Sequence, residues 1–134
     1  MSEAWRLPFV LGGAARLAYG LCAMLAPEWM EGRFAPTLRN HPDPRMNLRG
    51  FGGAQSAIAI YTLARATTPE NARSVLALNV LVDGFDAGVS ALEWQARGEL
   101  DRMAGGGVAV NLVALAFSAW AAVALRGQEE PNTA

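Results

Sequence analysis

Apolar residues run along the chain in four blocks, each about as long as a membrane-spanning helix. The blocks cover about residues 7–26, 46–64, 69–97 and 104–125, and the charged residues gather at their ends and in the connections. A hydrocarbon core about 30 Å thick needs about 20 apolar residues in helical conformation. The pattern therefore predicts an all-α fold, in which four transmembrane helices with a polar interior form a single integral membrane domain over residues 1–134.

The four blocks differ in how clearly they predict a membrane span. The fourth block has no charged residue between Ala104 and Leu125, which makes it the clearest of the four. The second block has weak hydropathy because it contains Asn47, Arg49 and Gln55. We nevertheless interpret it as a span, since its length and its alternation with polar connections match those of the other three blocks.

Capping and turn residues mark the helix boundaries. Thr68 followed by Pro69 and Glu70 is typical of a helix start, because Thr can cap a backbone N–H, Pro is tolerated at the first position and Glu favours the positive helix end. Several prolines in the connection 27–44 disfavour a regular helix there. The later connections are short, which predicts an up-down bundle, and residues 127–134 are expected to form a flexible tail.

Composition narrows the functions that this architecture can serve. The net charge is −1 and all basic residues are Arg, so there is no basic stripe for phosphates and nucleic acid is excluded as a partner. Cys22 is the only cysteine, which excludes an intrachain disulfide. His41 is the only histidine, which leaves no cluster for haem or a transition metal. We expect neither a metal site nor a cofactor.

Polar residues on the third predicted helix recur at intervals of four, three, four, three and four. This spacing places them on one face of the helix, while the other faces carry Leu, Val, Phe and Ala that can contact lipid. The polar face must then look into protein or into a water-filled cavity. Its members are Asn79, Asp83, Asp86, Ser90, Glu93 and Arg97.

Charged residues in the membrane interior are expected to pair, because each unpaired charge near the bilayer centre costs roughly 2.5–3.5 kcal/mol. Counting inward from the helix ends places Arg16 of the first helix at the level of Asp83. Arg49 falls about two turns closer to the first connection, within reach of Asp86, Ser90 or Glu93. Asn111 of the fourth helix falls at about the level of Asp86. The predicted network consists of Arg16, Arg49, Asn79, Asp83, Asp86 and Asn111.

Two interpretations of this network remain open. It can have a purely structural role, in which polar contacts between weakly hydrophobic helices hold them in one register. It can equally be a functional site, because intramembrane ionisable residues commonly mark ligand pockets or proton paths. In the functional interpretation Asp83 and Asp86 are the candidate catalytic residues. The candidate ligand-binding residues are Arg16, Tyr19, Arg49, Asn79, Ser90, Glu93 and Asn111.

Three short motifs resemble those of a known group of membrane proteins. They are Arg16 in the first helix, the Arg49-Gly50 pair opening the second, and Leu81-Val82-Asp83 in the third. This arrangement resembles the small DoxX-like four-helix bacterial membrane proteins and related uncharacterised families, and the resemblance covers most of the chain. It implies a compact four-span bundle in the cytoplasmic membrane. Those families largely lack an assigned reaction, so the resemblance bears on architecture more than on function.

Functions from three classes are compatible with the sequence. The favoured one is a ligand-binding or accessory membrane subunit, whose candidate partners are membrane lipid, a lipophilic small molecule, and a homo-oligomer or larger membrane complex. The first alternative is a small membrane enzyme using Asp, Arg and Asn in acid-base chemistry on a lipophilic substrate, by epoxide opening, isomerisation or cyclisation. The second is a proton-coupled transporter that uses the polar face of the third helix. All three functions need a multi-pass membrane protein, and the resemblance implies that its membrane is the cytoplasmic one.

Overall fold

All regular secondary structure in the described part of the chain is helical. The computed structural model describes residues 3–34, 42–98 and 102–128, which confirms the all-α prediction for these ranges. A short 3-10 turn, Glu3–Arg6, precedes the first α-helix. The α-helices are α1 (Leu7–Leu25), α2 (Pro27–Phe34), α3 (Pro42–Arg65), α4 (Pro69–Arg97) and α5 (Arg102–Arg126).

Three helical segments are long and apolar enough to cross a membrane. They are Glu3–Leu25, Pro69–Ala96 and Gly105–Arg126, which contain α1, most of α4 and most of α5. The predicted second span corresponds to α3, which has 24 residues but does not reach the same hydropathy. Length and composition therefore indicate a membrane protein with three clear candidate spans.

The outer surface of α4 is apolar over several turns. Leu81, Phe85, Val89 and Leu92 recur at intervals of four, four and three residues, so they share one face, and each of them is more than half exposed. A contiguous exposed patch of large apolar side chains is rare on water-soluble monomers. Acyl chains of a bilayer would cover this face without any cost to backbone polar groups, because all of those are satisfied within the helix.

The ends of α4 follow the predicted local chemistry. Thr68 is the N-cap, its side chain accepts a hydrogen bond from the Asn71 backbone N–H at 3.3 Å, and Pro69 occupies the first turn. The helix ends at Gly98, which has a φ of 69° in the left-handed region that favours glycine. These two signals confirm the predicted boundaries of this helix.

The connection 27–44 differs from its prediction in its first half. Residues 27–34 form α2, because Pro27 stands at the first helical position, where its missing N–H costs nothing and the Ala26 carbonyl accepts from Trp29 and Met30. The prediction of irregular structure is therefore wrong for this stretch. The tail beyond Gln128 lies outside the described residues, as does His41.

The long helices associate as two antiparallel pairs. α1 packs most extensively on α3, and α4 on α5, while contacts between the pairs are fewer. A Cβ atom built on Gly20 would lie 2.8 Å from the Gly52 carbonyl oxygen, so the backbones of α1 and α3 touch there. By contrast, nothing lies within 4 Å of a Cβ built on Gly84 or Gly88 of α4. The small residues that let helices approach are therefore those of α1 and α3.

An apolar cluster closes one end of the helix assembly. It joins the α1 and α4 N-terminal turns to the α5 C-terminal turns, and the Trp5 and Phe9 rings meet edge to face at 6.3 Å. We call this cluster the apolar cap, and its members are Trp5, Phe9, Ala66, Ala72, Val75, Ala121 and Leu125. Beyond the cap, toward the other end of α4, the two helix pairs enclose the polar residues.

We expect Gly52→Ala to lower the free energy of unfolding by about 1–3 kcal/mol, because the added methyl group would meet the Gly20 oxygen and the Met24 nitrogen at 2.6 Å. The measurement is titration of the purified protein with SDS in mixed micelles. Gly53→Ala is the control, since nothing lies within 4 Å of its Cβ, and it should leave the unfolding free energy unchanged or raise it by up to about 1 kcal/mol. Equal losses in both variants would contradict the close approach of α1 and α3.

Candidate functional site

A cavity of about 340 Å³ lies between the two helix pairs and is lined by residues of α1, α3, α4 and α5. Most of its wall is apolar. The apolar lining residues include Phe9 and Leu76 at the apolar cap and Val110, Val113 and Phe117 on α5. The polar part of the lining comes from α4 together with polar side chains of α1, α3 and α5, so a molecule in the cavity would meet mostly hydrocarbon and a smaller set of hydrogen-bonding groups.

Four polar residues of α4 each bond to a side chain on another helix. They recur at intervals of four, three and four, which confirms that they share the face predicted from the sequence. Each partner lies on α1, α3 or α5, so the same face of α4 is tied to all three neighbouring long helices. We call these contacts the polar ladder; from the apolar cap outward its pairs are Asn79–Thr62, Asp83–Arg16, Asp86–Gln55 and Ser90–Asn111.

The ion pair between Arg16 and Asp83 is the only salt bridge among the ladder contacts of the described residues. Arg16 Nη2 donates to Asp83 Oδ1, and the side chains are 12% and 3% exposed, respectively. Ser118 of α5 is buried and also lines the cavity. Arg16 Nη1 and Asp83 Oδ2 are buried without a hydrogen-bond partner among the described residues, and both side chains line the cavity. The predicted Arg16–Asp83 pair is confirmed.

Asp86 is paired with an amide instead of a guanidinium group. Gln55 Nε2 donates to Asp86 Oδ2 at 2.9 Å, and the Gln55 side chain is buried. Tyr19 lines the cavity with Asp86, and its ring meets that of Phe51 edge to face at 6.1 Å. No Arg or Lys of the described ranges forms an ion pair with Asp86. This carboxylate therefore lines the cavity with only neutral neighbours bonded to it.

Two of the predicted site residues, Arg49 and Glu93, lie outside the ladder and the cavity wall. Arg49 is exposed and forms no ion pair with the described residues, which corrects its expected contact with Asp86, Ser90 or Glu93. It stands six residues before Gln55, which puts it about 120° around α3 from the face that meets α4. Glu93 is exposed and does not line the cavity. The other predicted site residues lie in the ladder or the cavity wall.

Three polar contributors were not included in the predicted network: Gln55, Thr62 and Ser118. Gln55 and Thr62 stand seven residues apart on α3, as do Asn111 and Ser118 on α5, and a separation of seven keeps two residues on one helix face. This spacing could have predicted that the polar residues of α3 and α5 face the same interior as those of α4. All four side chains are buried, as a polar face inside an apolar helix assembly requires.

Metal chemistry has no donor set in the described ranges, where no group of three or more His, Cys, Asp or Glu side chains is close enough to hold a metal ion. No family model, curated protein or solved structure matches this chain. The similarity to DoxX-like proteins therefore stays a prediction, and the chemistry of the site follows from its own geometry.

Removing one partner of the Arg16–Asp83 pair should lower the free energy of unfolding much more than removing both partners. We expect Asp83→Leu to lower the unfolding free energy by about 3–5 kcal/mol, because it leaves the Arg16 charge buried and uncompensated. Adding Arg16→Met should recover most of that loss. Free energies from SDS titration of the wild type, both single variants and the double variant give the coupling; additive losses would show that the two side chains are energetically independent.

The Ser90–Asn111 contact should contribute much less. Asn111 Nδ2 donates to Ser90 Oγ at 2.9 Å, and interhelical hydrogen bonds of this kind in membranes average about 0.6 kcal/mol. We expect Ser90→Ala to lower the unfolding free energy by about that amount in the same titration. Ser74→Ala, at an exposed position of α4, is the control for helix propensity. A loss in Ser90→Ala as large as that in Asp83→Leu would contradict this order.

Proposed function

We propose that this protein is a multi-pass protein of the cytoplasmic membrane that binds a lipophilic small molecule in the cavity between its two helix pairs. The observation that carries the proposal is the cavity itself, with a mostly apolar lining and a smaller set of polar groups. Its volume of about 340 Å³ falls in the lower part of the roughly 300–1,000 Å³ range of small-molecule sites. Such sites combine mostly apolar lining with a few polar groups that orient the ligand.

The proposal includes α3 as a fourth membrane span. Its weak hydropathy comes from Asn47 and Arg49, which are exposed near its start, and from Gln55, which is buried together with Ser56 and Thr62. Ile60, which points away from them, is 57% exposed. A helix that hides its polar residues and presents apolar ones outward can be inserted with its neighbours even when its average hydropathy is low. The extensive packing of α3 on α1 supports the same arrangement.

Ligand binding is better supported than either alternative function. In the acid-base enzyme alternative the Asn side chains would orient a water or a substrate oxygen, but Asn79 and Asn111 are already bonded to Thr62 and Ser90. A proton path across the membrane needs polar groups along its whole length, but the apolar cap closes one end of the ladder. Both features hold the polar groups in fixed positions around a closed-ended cavity, as a binding site requires.

Filling the cavity should abolish ligand retention. We expect native mass spectrometry of the wild-type protein released from lipid nanodiscs to show a bound small molecule or single lipid, and Ala114→Phe to remove it, because Ala114 lines the cavity and the added ring would occupy its volume.

Ala116→Phe is the matched control on the same helix, since Ala116 is exposed and does not line the cavity. Retention should be unchanged in this variant. A wild-type protein that retains nothing, or two variants that lose the adduct equally, would contradict the proposed binding function.

A further inference from the structure

We infer that the ligand of this cavity is a lipophilic organic cation, whose positively charged group binds beside Asp86 while its apolar part lies along the wall formed by α5. This inference rests on the proposed function and adds the chemical class of the ligand. It follows from the charges around the cavity, from the aromatic rings that line it and from the unpartnered oxygen of Asp83.

The charges that line the cavity do not balance. Among the described lining residues they are Arg16, Asp83 and Asp86, one positive group against two negative ones. Arg16 is committed to Asp83, whereas Asp86 receives a hydrogen bond only from the neutral Gln55 amide. An uncompensated charge inside a membrane costs roughly 2.5–3.5 kcal/mol even on lenient scales. A cationic ligand would supply the compensation that the protein's own side chains leave out.

Two aromatic rings line the same cavity as Asp86. Tyr19 and Phe51 are both in its wall, and their rings meet edge to face at 6.1 Å. A cation near the face of an aromatic ring gains roughly 0.5–2 kcal/mol, more when it is removed from water. Asp86 and this ring pair together provide a carboxylate and a π surface, the two groups that organic ammonium ions favour.

Asp83 adds a second carboxylate to the lining of the cavity. Its side chain is 3% exposed, and Oδ2 has no hydrogen-bond partner in the described part of the chain. Asp83 and Asp86 stand three residues apart on one face of α4, so a protonated amine bound at Asp86 has a further carboxylate oxygen nearby.

An anionic ligand is disfavoured by the same charges. Arg16 Nη1 is an unpartnered donor, but an anion that reached it would add a third negative charge beside Asp83 and Asp86. The like-charge repulsion increases in the low-dielectric interior of a membrane protein. A neutral ligand would leave Asp86 uncompensated. Cationic, neutral and anionic ligands should therefore bind with three different affinities, and these affinities can be measured.

The test compares probes of one shape and different charge on the full chain in lipid nanodiscs. The probes are decyltrimethylammonium, its neutral isostere with carbon in place of nitrogen, and decyl sulfate. Equilibrium dialysis of isotopically labelled probe, corrected for empty nanodiscs, gives the specific binding. We expect the cation to bind at least about tenfold more tightly than the neutral isostere, a difference of 1.4 kcal/mol, and the anion to bind most weakly.

Asp86→Asn removes the charge while keeping the shape of the side chain, and it should abolish the preference for the cation. Glu70→Gln is the matched control, since it makes the same chemical change in the first turn of α4, outside the cavity. Circular dichroism and size-exclusion elution establish that both variants fold. Where Asp86→Asn does not fold, the order of the three probes on the wild type still decides the question.

The outcomes separate the two proposals. Cation binding that is strongest in the wild type and in Glu70→Gln, and reduced to the level of the neutral isostere in Asp86→Asn, supports the inference. Equal binding of the cation and the neutral isostere, or tighter binding of the anion, overturns the inference and leaves the lipophilic binding site in place. Absence of specific binding for all three probes overturns the proposed function itself.

Discussion

The ion pair between Arg16 and Asp83 is the interaction on which the arrangement of the helices depends. It joins α1 to α4 where few other contacts connect the two helix pairs, and both side chains are buried. Each charge alone would be costly in hydrocarbon, so the pair restricts α1 and α4 to positions at which the two groups meet. The other hydrogen-bonded pairs of the polar ladder involve the same face of α4, so the position that the ion pair sets also aligns them.

Close backbone packing supplies the complementary constraint within the first helix pair. Gly20 and Gly52 allow α1 and α3 to touch, which sets the rotation of α3 about its own axis. That rotation turns Gln55 and Thr62 toward α4 and leaves Arg49 outside. The combination of an ion pair between the helix pairs and glycine contacts within one of them leaves a gap that no side chain fills, and this gap is the cavity.

The sequence predicted structural features that depend on a single helix or on the distance of a residue from a helix end. The Thr68 cap, the polar face of α4 and the level of Arg16 opposite Asp83 all follow from periodicity and from counting residues. The partner of Asp86 could not be obtained in this way, because it depends on helix rotation, which the glycine contacts decide. The cavity was equally hidden, since lining residues such as Val113 and Phe117 have the same apolar character as residues that contact lipid.

The length of α4 has a consequence for the membrane around it. Its 29 residues extend over roughly 43 Å, so as a membrane span it would exceed a hydrocarbon core of about 30 Å and would tilt or protrude. A tilt of α4 alone would move its carboxylates away from Arg16 and Gln55, so the neighbouring helices would have to tilt with it. In a membrane, bilayer thickness would therefore act on the geometry of the site without any change in the sequence.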